Sequence, residues 1–375
     1  MMAGLSAQNK LRDVFNPKNI TALAEAIKQN WPSFDEGSFL ADILPQLDKL
    51  GFGERSALIR DALQKHLPGD FPKAVDILLR ALGPELNGTP ATFDAFIVWP
   101  QCAFVSKYGK GHFDVSMNAL YEMTKRFSAE ADLRTFIEVD YERAMSTLHL
   151  WCDDPNPDVR RLVSEGTRPR LPLTGRIRRF QDDPRPIIAL LDKLKADETE
   201  YVRRSVANNM NDIAKDNSEI AVATLKRWSK DKDPKVQWVV GYAARTLIKQ
   251  GDREVLEMLG YPTAPQIAVS DVVISPTTIG RGGTIDFSFS ITSCSAAAQK
   301  LMVDFVVYYT KAHGKLAPKV FKLRDLSLPA RKAATVRKSF ALRNTSGRTI
   351  YPGQHTLEIQ INGRAYRRGE FEVVA

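Results

Sequence analysis

Three stretches of the chain place cationic or aromatic side chains at the same point of a predicted helix. The first contains Val159-Arg160-Arg161, the second contains Val202-Arg203-Arg204, and a degenerate third contains Val236-Gln237-Trp238. Aligned on their valines, the stretches lie 43 and 34 residues apart, which are steps typical of two-helix repeats. A guanidinium fork suits phosphate oxygens, and an aromatic ring suits a base or a sugar. The arrangement predicts a repeated surface that binds a polyanion.

A carboxylate accompanies the arginines of the first stretch, and it admits a simpler interpretation. Arg161 and Glu165 are four residues apart on one helix face, so they could form an exposed ion pair worth about 0.3–0.5 kcal/mol. Two features favour a partner outside the helix. The second stretch continues into weak helix formers, Asn208, Asn209 and Asn211. A dense group of arginines also follows the first helix, namely Arg168, Arg170, Arg176, Arg178 and Arg179.

The distribution of charge supports a polyanionic partner. The chain has 375 residues and a net charge of +9. Residues 1–155 carry 16 basic and 21 acidic side chains, whereas residues 261–375 carry 16 basic and 7 acidic ones. Segregation of this kind indicates a nucleic acid or an anionic surface as partner, and the alternative is a basic tail that only aids solubility. Arginine outnumbers lysine in residues 160–180, which favours phosphate as the group bound.

The side chains expected to contact the polyanion come from the three stretches and from the arginine-rich segment. They are Arg160, Arg161, Arg168, Arg170, Arg203, Arg204, Asn208, Asn209, Lys235 and Trp238. Trp238 takes the place of the second arginine in the third stretch, and packing in the helical core is an equal alternative for it.

Several other classes of protein are excluded by what the sequence lacks. The apolar runs are too short for a membrane span, and the beginning of the chain does not resemble a signal peptide. The three cysteines are far apart and form no CxxC pair, and the five histidines show no metal-binding spacing. No phosphate-binding loop or nucleophile elbow occurs. We therefore expect a cytoplasmic protein without a metal or another cofactor.

The periodicity of apolar residues divides the chain in two. Apolar residues recur at helical spacing throughout residues 1–260, and Pro and Gly separate the segments. After Pro265 the chain changes to short alternating segments such as Ile285 to Ile291, about seven in all, and Asn362-Gly363 predicts a hairpin. The predicted fold is mainly α with a β domain: a HEAT-like α-solenoid over residues 1–260, then an immunoglobulin-like β-sandwich over residues 261–375.

Three motifs resemble one known family. The segments Val159 to Pro172 and Tyr201 to Asp216 are similar to signatures of the AlkC branch of the AlkC/AlkD alkylpurine DNA glycosylases. A third similar segment runs from Trp99 to Glu130 and includes Lys107-Tyr108-Gly109 and Leu120-Tyr121-Glu122. The likeness covers residues 10–260, and the motifs occur in the same order as in the family.

The resemblance implies a monofunctional DNA glycosylase that hydrolyses the N-glycosidic bond of cationic alkylated bases, chiefly N3-methyladenine, in duplex DNA. It implies Glu130, Glu165 and Asp212 as the catalytic carboxylates. They are 35 and 47 residues apart, so successive repeats could supply them. Simpler interpretations are a helix-dipole role for Glu130 and an ion pair of Asp212 with Arg204 or Lys215. The arginines would hold phosphates beside the lesion.

The remaining expectations concern the partners of the protein. The basic β domain is expected to clamp the DNA, and the protein is expected to act as a monomer at the bacterial nucleoid in base excision repair. The competing interpretation is a non-enzymatic scaffold in which the solenoid and the sandwich bind DNA or an acidic protein without chemistry.

Overall fold

The structure, a computed structural model, describes residues 11–89, 91–311, 315–345 and 348–374. The described residues form two compact units, the first within residues 11–217 and 232–243 and the second within residues 218–231 and 244–374. The helices of the chain occur in both units, and the strands occur in the second. The chain is thus helical with a C-terminal β domain, as the sequence predicts, and the division into domains at residue 260 stays a prediction.

The α-helices of the first unit follow one another in short segments, together with 3-10 helices at Leu11–Val14, Leu44–Lys49 and Asp94–Val98. They are α1 (Pro17–Asn30), α2 (Glu36–Ile43), α3 (Phe52–His66), α4 (Phe71–Arg80), α5 (Trp99–Tyr108), α6 (Phe113–Thr124), α7 (Glu130–Val139), α8 (Tyr141–Trp151), α9 (Pro157–Gly166), α10 (Arg178–Asp182), α11 (Arg185–Leu194), α12 (Glu200–Asp216) and α14 (Pro234–Ala243).

These helices pack in two layers, as repeated helix pairs do. In one layer, here called the site layer, α3, α5, α7, α9, α12 and α14 each contact the next. Behind it, α6 packs on α5 and α7, α8 packs on α7 and α9, and α11 packs on α9 and α12. One helix separates successive members of the site layer in sequence, or two between α9 and α12, so residues from distant parts of the sequence become neighbours there.

The predicted apolar stripes hold the site layer together. In α9 the buried residues include Val159, Leu162 and Val163, and in α12 they include Val202 and Val206. All five side chains are completely buried, which confirms the helical periodicity. The start of α9 is capped, because the Asn156 side chain accepts a hydrogen bond from the Asp158 amide at 2.8 Å and a proline occupies the first turn.

The second unit contains three helices and a two-sheet sandwich. The helices are α13 (Ser218–Trp228), α15 (Arg245–Gln250) and α16 (Arg253–Met258). The strands are β1 (Ile267–Val269), β2 (Val273–Ser275), β3 (Thr278–Gly280), β4 (Thr284–Ser293), β5 (Gln299–Thr310), β6 (Leu316–Leu328), β7 (Ala333–Ala341), β8 (Gly353–Ile361) and β9 (Arg364–Val374).

The two sheets enclose one apolar core. One sheet has the order β1-β4-β2 with β7 also paired to β4, and the other has the order β3-β9-β8-β5-β6. Phe287 of β4 and Phe305 of β5 meet in the core with ring centroids 5.1 Å apart. The predicted hairpin joins β8 to β9, with φ values of 48° at Asn362 and 73° at Gly363. The short strands β1 and β2 pair with different parts of β4.

Candidate active site

Three acidic and two basic side chains alternate across neighbouring helices of the site layer. Nη1 of Arg161 lies 3.3 Å from Oε2 of Glu130, and its Nη2 lies 3.8 Å from Oε1 of Glu165. Nη1 of Arg168 lies 2.6 Å from the same Glu165 oxygen, and its Nε lies 2.8 Å from Oδ2 of Asp212. We call these five residues the ionic row. It brings together the three carboxylates predicted as catalytic.

The helices place each member of the row without a sharp local bend. Glu130 is the first residue of α7, whereas Glu165 is in the last turn of α9, and Asp212 is in the last two turns of α12. Since α7, α9 and α12 are consecutive in the site layer, the row runs across them. Arg161 comes from α9, and Arg168 comes from the segment that follows α9.

The row is buried, so it is not a set of ordinary surface ion pairs. The side chains of Arg161, Glu165, Arg168 and Asp212 are 8, 9, 10 and 1% exposed, and that of Glu130 is 16% exposed. The alternative of an exposed Arg161–Glu165 pair is therefore wrong. Removing one partner from a buried pair leaves an uncompensated charge and typically costs about 3–5 kcal/mol.

Neighbouring side chains form hydrogen bonds with the remaining oxygen atoms of Glu165 and Asp212. Ser205 donates a hydrogen bond to Oε2 of Glu165 at 2.6 Å, and Lys215 donates one to Oδ1 of Asp212 at 2.8 Å. Both oxygens of Glu165 and both oxygens of Asp212 are thus occupied. Arg161 also donates to Ser128 at 3.0 Å, and its guanidinium lies 4.9 Å from the centre of the Tyr201 ring.

Glu130 differs from the other two carboxylates in its accessibility and in its pKa. Among the described residues, Arg161 is the side chain that donates a hydrogen bond to Glu130, and Glu130 accepts it through Oε2. Burial raises the pKa of Glu130, and the charge of Glu165 raises it further against the opposing effect of Arg161. Burial also acts on Glu165, but Arg161 and Arg168 outweigh it and lower the pKa of Glu165. The row thus combines a carboxylate that accepts a proton readily with one that is held ionised.

The first arginine of each repeat, Arg160 or Arg203, donates hydrogen bonds to the turn that precedes its own helix. Nη1 of Arg160 donates to the carbonyl oxygens of Asp154 and Pro155 at 2.8 and 3.0 Å. Nη1 of Arg203 donates to those of Asp197 and Glu198, at 2.6 and 2.9 Å. In both cases the acceptors lie six and five residues before the arginine. Contact with DNA stays a prediction for Arg160 and Arg203, whose guanidinium groups brace the turns before α9 and α12.

Other predicted DNA contacts also have partners within the protein. Arg170 forms two hydrogen bonds with Asp216, at 2.8 and 2.5 Å. Asn209 is completely buried and donates to the Ser164 carbonyl at 2.8 Å, so in this structure its amide joins α12 to α9. Asn208 is half-buried one position earlier on α12. Arg161 and Arg168 lie inside the ionic row.

The accessible predicted contacts cluster at α12 and α14. Arg204 is exposed, pairs with Glu200, and lies 5.8 Å from the centre of the Trp238 ring and 5.7 Å from that of Tyr242. The two rings are stacked, with centroids 5.1 Å apart and an angle of 11° between their planes. Lys235, on the same helix, contacts Glu198 at 2.6 Å. We call Arg204, Trp238 and Tyr242 the aromatic platform.

Sequence reasoning did not find every residue of the site. Ser205 and Tyr201 belong to the second stretch, but a hydroxyl beside an arginine pair gives no signal of its own. Arg134 of α7 is buried and donates to three backbone carbonyls of the segment that carries Arg168. One signal could have identified it, since it is a charged residue between Leu133 and Phe136 in the apolar stripe of a helix.

The described part of the chain lacks a membrane-spanning helix and a cluster of metal-binding side chains. No helix there is both long and apolar enough to cross a membrane. No group of three or more His, Cys, Asp or Glu side chains suited to a metal ion occurs among the same residues.

Comparison with known proteins gave three relevant findings. Residues 268–375 match the family model described as "Uncharacterised protein YhaZ, C-terminal Ig-like domain". The uncharacterized protein YhaZ of Bacillus subtilis is 32% identical over 364 residues, which are 97% of this chain and 99% of that protein. The structure of the Pseudomonas fluorescens alkylpurine DNA glycosylase AlkC, bound to DNA containing an abasic site analog, is 34% identical with a TM-score of 0.91 and covers 98% of this chain and 100% of that chain.

The ionic row predicts a pH-dependent loss of stability when Arg168 is removed. Arg168→Met leaves Glu165 and Asp212 without their shared cation, so we expect a loss of about 3–5 kcal/mol in the free energy of unfolding at pH 7. Because the folded protein lowers the pKa of Glu165, its ionised form stabilises the fold above the unfolded pKa, and this contribution disappears as the pH falls through the folded value. The loss caused by Arg168→Met should therefore shrink below about pH 4.5.

Urea unfolding at several pH values measures both effects. The control is Arg185→Met, which removes an arginine that is 77% exposed and pairs with Asp183 at 2.8 Å. An exposed pair contributes only about 0–1 kcal/mol, so this variant should remain close to the wild type. Equal losses for the two variants, or a loss at Arg168 that does not change with pH, would contradict the role given to the row.

Proposed function

This chain belongs to the AlkC family of alkylpurine DNA glycosylases, and from that premise we propose that it hydrolyses the N-glycosidic bond of cationic alkylated bases, chiefly N3-methyladenine, in duplex DNA. Base removal of this kind begins base excision repair, which places the protein at the DNA of a bacterial cytoplasm. The observation that carries the proposal is the ionic row, in which three carboxylates meet across consecutive helices.

The chemistry of the substrate determines what the site has to supply. A base methylated on a ring nitrogen is positively charged and leaves as a neutral molecule, so no acid has to protonate it. Positive charge then develops on the sugar in an oxocarbenium-like transition state. The ionic row contains three carboxylates against two guanidinium groups, with Lys215 also paired to Asp212, and in this proposal its carboxylates hold fixed negative charge near that cation.

The carboxylates take unequal roles in this proposal. Glu130 is the most accessible of the three, and Arg161 contacts one of its oxygens, so we assign it to orient the water and to accept its proton. Glu165 and Asp212 have both oxygens occupied and supply fixed negative charge. Arg161 and Arg168 keep these acids together and maintain the ionisation of Glu165.

The same arrangement argues for hydrolysis without strand cleavage. A lyase reaction needs an amine that attacks the sugar carbon. Lys215 is the amine that contacts the row, and its nitrogen is committed to Asp212 at 2.8 Å. We therefore propose a monofunctional enzyme that leaves an abasic site.

Glu130→Gln provides the direct test of the mechanism. We expect the single-turnover release of N3-methyladenine from methylated duplex DNA to fall by about 10²–10⁴-fold, because the variant cannot accept a proton from water. In the wild type the rate should fall as the pH drops through the raised pKa of Glu130, since the protonated acid is not a base. The variant should lack this acid limb.

The controls separate chemistry from binding. Glu138→Gln changes an exposed acid on the same helix and should leave the rate unchanged. Glu165→Gln and Asp212→Asn should also slow release with little effect on DNA affinity. Release at the normal rate by Glu130→Gln would remove this residue from the mechanism. A wild-type protein that binds DNA and releases no base would support the alternative of a scaffold.

The aromatic platform is the surface that we propose to hold DNA beside the lesion. Its two rings are half-buried, so each retains an accessible face or edge. Arg204 lies against both rings and adds positive charge next to them. Stacking of a base or sugar on an aromatic side chain is worth about 1–3 kcal/mol and does not depend on sequence.

Replacing Trp238 tests the platform independently of catalysis. Trp238→Ala should weaken binding to undamaged duplex by about tenfold, which corresponds to about 1.4 kcal/mol, and Trp238→Phe should retain most of the affinity. Fluorescence anisotropy at fixed salt gives both values. The matched control is Trp31→Ala, which removes a tryptophan near the N-terminal end of the first unit. If both alanine variants bind like the wild type, Trp238 is a packing residue, as its alternative interpretation holds.

The β domain is proposed to clamp the DNA because of its positive charge. Three exposed cations of two edge strands, Lys319 of β6 and Arg337 and Lys338 of β7, form no ion pair with another described residue. Cations outside internal ion pairs are available to phosphates, and each phosphate contact releases counterions.

The clamp predicts a change in the salt dependence of binding. Changing these three residues together to Gln should reduce the slope of log K against log salt by up to about 0.9 for each lost contact. Exposed Lys18, Lys49 and Lys73 of the first unit serve as a control, since their replacement by Gln changes the net charge equally. An unchanged slope in the β-domain variant, or the same change in both, would exclude a local contact by these residues.

A further inference from the structure

A buried arginine outside the ionic row holds the segment that supplies one of its members. Arg134 lies in α7, one helical turn after Glu130, and is 7% exposed. Its Nη1 donates to the carbonyl oxygens of Gly166 and Arg168 at 3.3 and 2.7 Å, and its Nη2 donates to that of Gly175 at 2.5 Å. The three acceptors span the segment between α9 and α10, residues 167–177, together with the last residue of α9.

This segment, here called the arginine loop, has no helix or strand of its own. The side chain of Arg168 extends from this loop to Glu165 and Asp212, and the side chain of Arg170 extends to Asp216. Leu173 within it has a positive φ of 64°, a conformation that costs about 1–2 kcal/mol for a residue other than glycine. An irregular segment with such a residue keeps one conformation only where surrounding contacts impose it.

Arg134 supplies those contacts through the shape of its side chain. A guanidinium presents five N–H donors in a planar fork, so one group can bind carbonyl oxygens from both ends of the loop. A lysine ammonium at the same place could not keep all three bonds in that geometry. Arg134 forms no ion pair with a described carboxylate, and burial lowers its pKa to about 10, so it remains charged at neutral pH. Its charge is compensated by carbonyl dipoles of the loop.

We propose that Arg134 is a positioning residue that fixes the arginine loop and, through it, the place of Arg168 between Glu165 and Asp212. The consequence for reactivity rests on the proposed glycosylase function. Arg134 itself does not touch the substrate in this assignment. Its loss would displace Arg168, weaken the ionisation of Glu165 and slow the chemical step, whereas the DNA-binding surfaces on α12 and α14 would remain.

The chain offers a matched control in Arg55 of α3. Arg55 is 5% exposed and also donates to three backbone carbonyls, those of Leu50, Arg12 and Phe15, at 3.2, 3.1 and 2.9 Å. It therefore braces an irregular segment in the same way, but near the N-terminal end of the first unit. A purely structural role predicts the same behaviour for both arginines.

The experiment compares Arg134→Lys and Arg134→Met with Arg55→Lys and Arg55→Met in the full chain. Urea unfolding should show comparable losses of stability at the two sites. At a temperature where all variants are folded, the Arg134 variants should release N3-methyladenine at least tenfold more slowly with DNA affinity within twofold of the wild type. Their acid limb should also shift to lower pH, because a less ionised Glu165 raises the pKa of Glu130 less. Arg55 variants should keep the wild-type rate and pH profile.

Hydrogen exchange gives a readout that does not depend on activity. The amides of residues 167–177 should exchange faster in Arg134→Lys and remain unchanged in Arg55→Lys. Unchanged exchange there, or equal losses of rate in the two sets, would overturn the positioning role. If the wild type releases no base, the proposed function fails, and exchange in the arginine loop still decides whether Arg134 fixes it.

Discussion

The site depends on one electrostatic constraint, which is that carboxylates cannot share a buried space unless cations separate them. Three acids of α7, α9 and α12 lie along the site layer, and Arg161 and Arg168 each stand between two of them. Without these arginines, burial and mutual repulsion would protonate the acids or drive the helices apart. With them, the row stays compact, and Lys215 adds a third cation at Asp212. In the proposed reaction, a developing sugar cation would face carboxylates that are held in fixed positions.

The repeat architecture explains why arginine pairs recur and why their two members differ. The first arginine of each pair, Arg160 or Arg203, bonds carbonyls six and five residues before it and so closes the turn that begins its own helix. The second, Arg161 or Arg204, contacts a neighbouring helix of the site layer. Arg161 meets Glu130 of the preceding helix α7, and Arg204 meets the aromatic rings of the following helix α14. The first arginine of the motif therefore stabilises a turn, whereas the contacts of the second arginine differ from one repeat to the other.

Much of this organisation was predictable from the sequence, because it follows from local periodicity. The buried stripes of α9 and α12, the cap at Asn156 and the hairpin at Asn362-Gly363 depend on residues close in the chain. The local pair of Asp212 with Lys215 was among the interpretations that the sequence offered, and the structure contains it. Ion-pair partners on other helices were not predictable, since they depend on which helices become neighbours. Arg168 begins an arginine cluster that looks exposed in the sequence, yet folding buries it between two acids. The short strand β3 also gave no signal, because three residues are too few to show alternation.

The acids of the row differ in exposure and in hydrogen bonding, and these differences support the different roles proposed for them. Glu165 accepts hydrogen bonds on both oxygens from Ser205 and Arg168, so moving it toward a substrate would break contacts in a buried setting. Such contacts are costly to break, which favours a fixed electrostatic role. Glu130 stands at the start of its helix with a single long contact to Arg161 at 3.3 Å and with the largest exposure in the row. Moving Glu130 toward a water molecule would break this one contact with Arg161, whereas moving Glu165 would break several contacts, and this difference suits the proton-acceptor role proposed for Glu130.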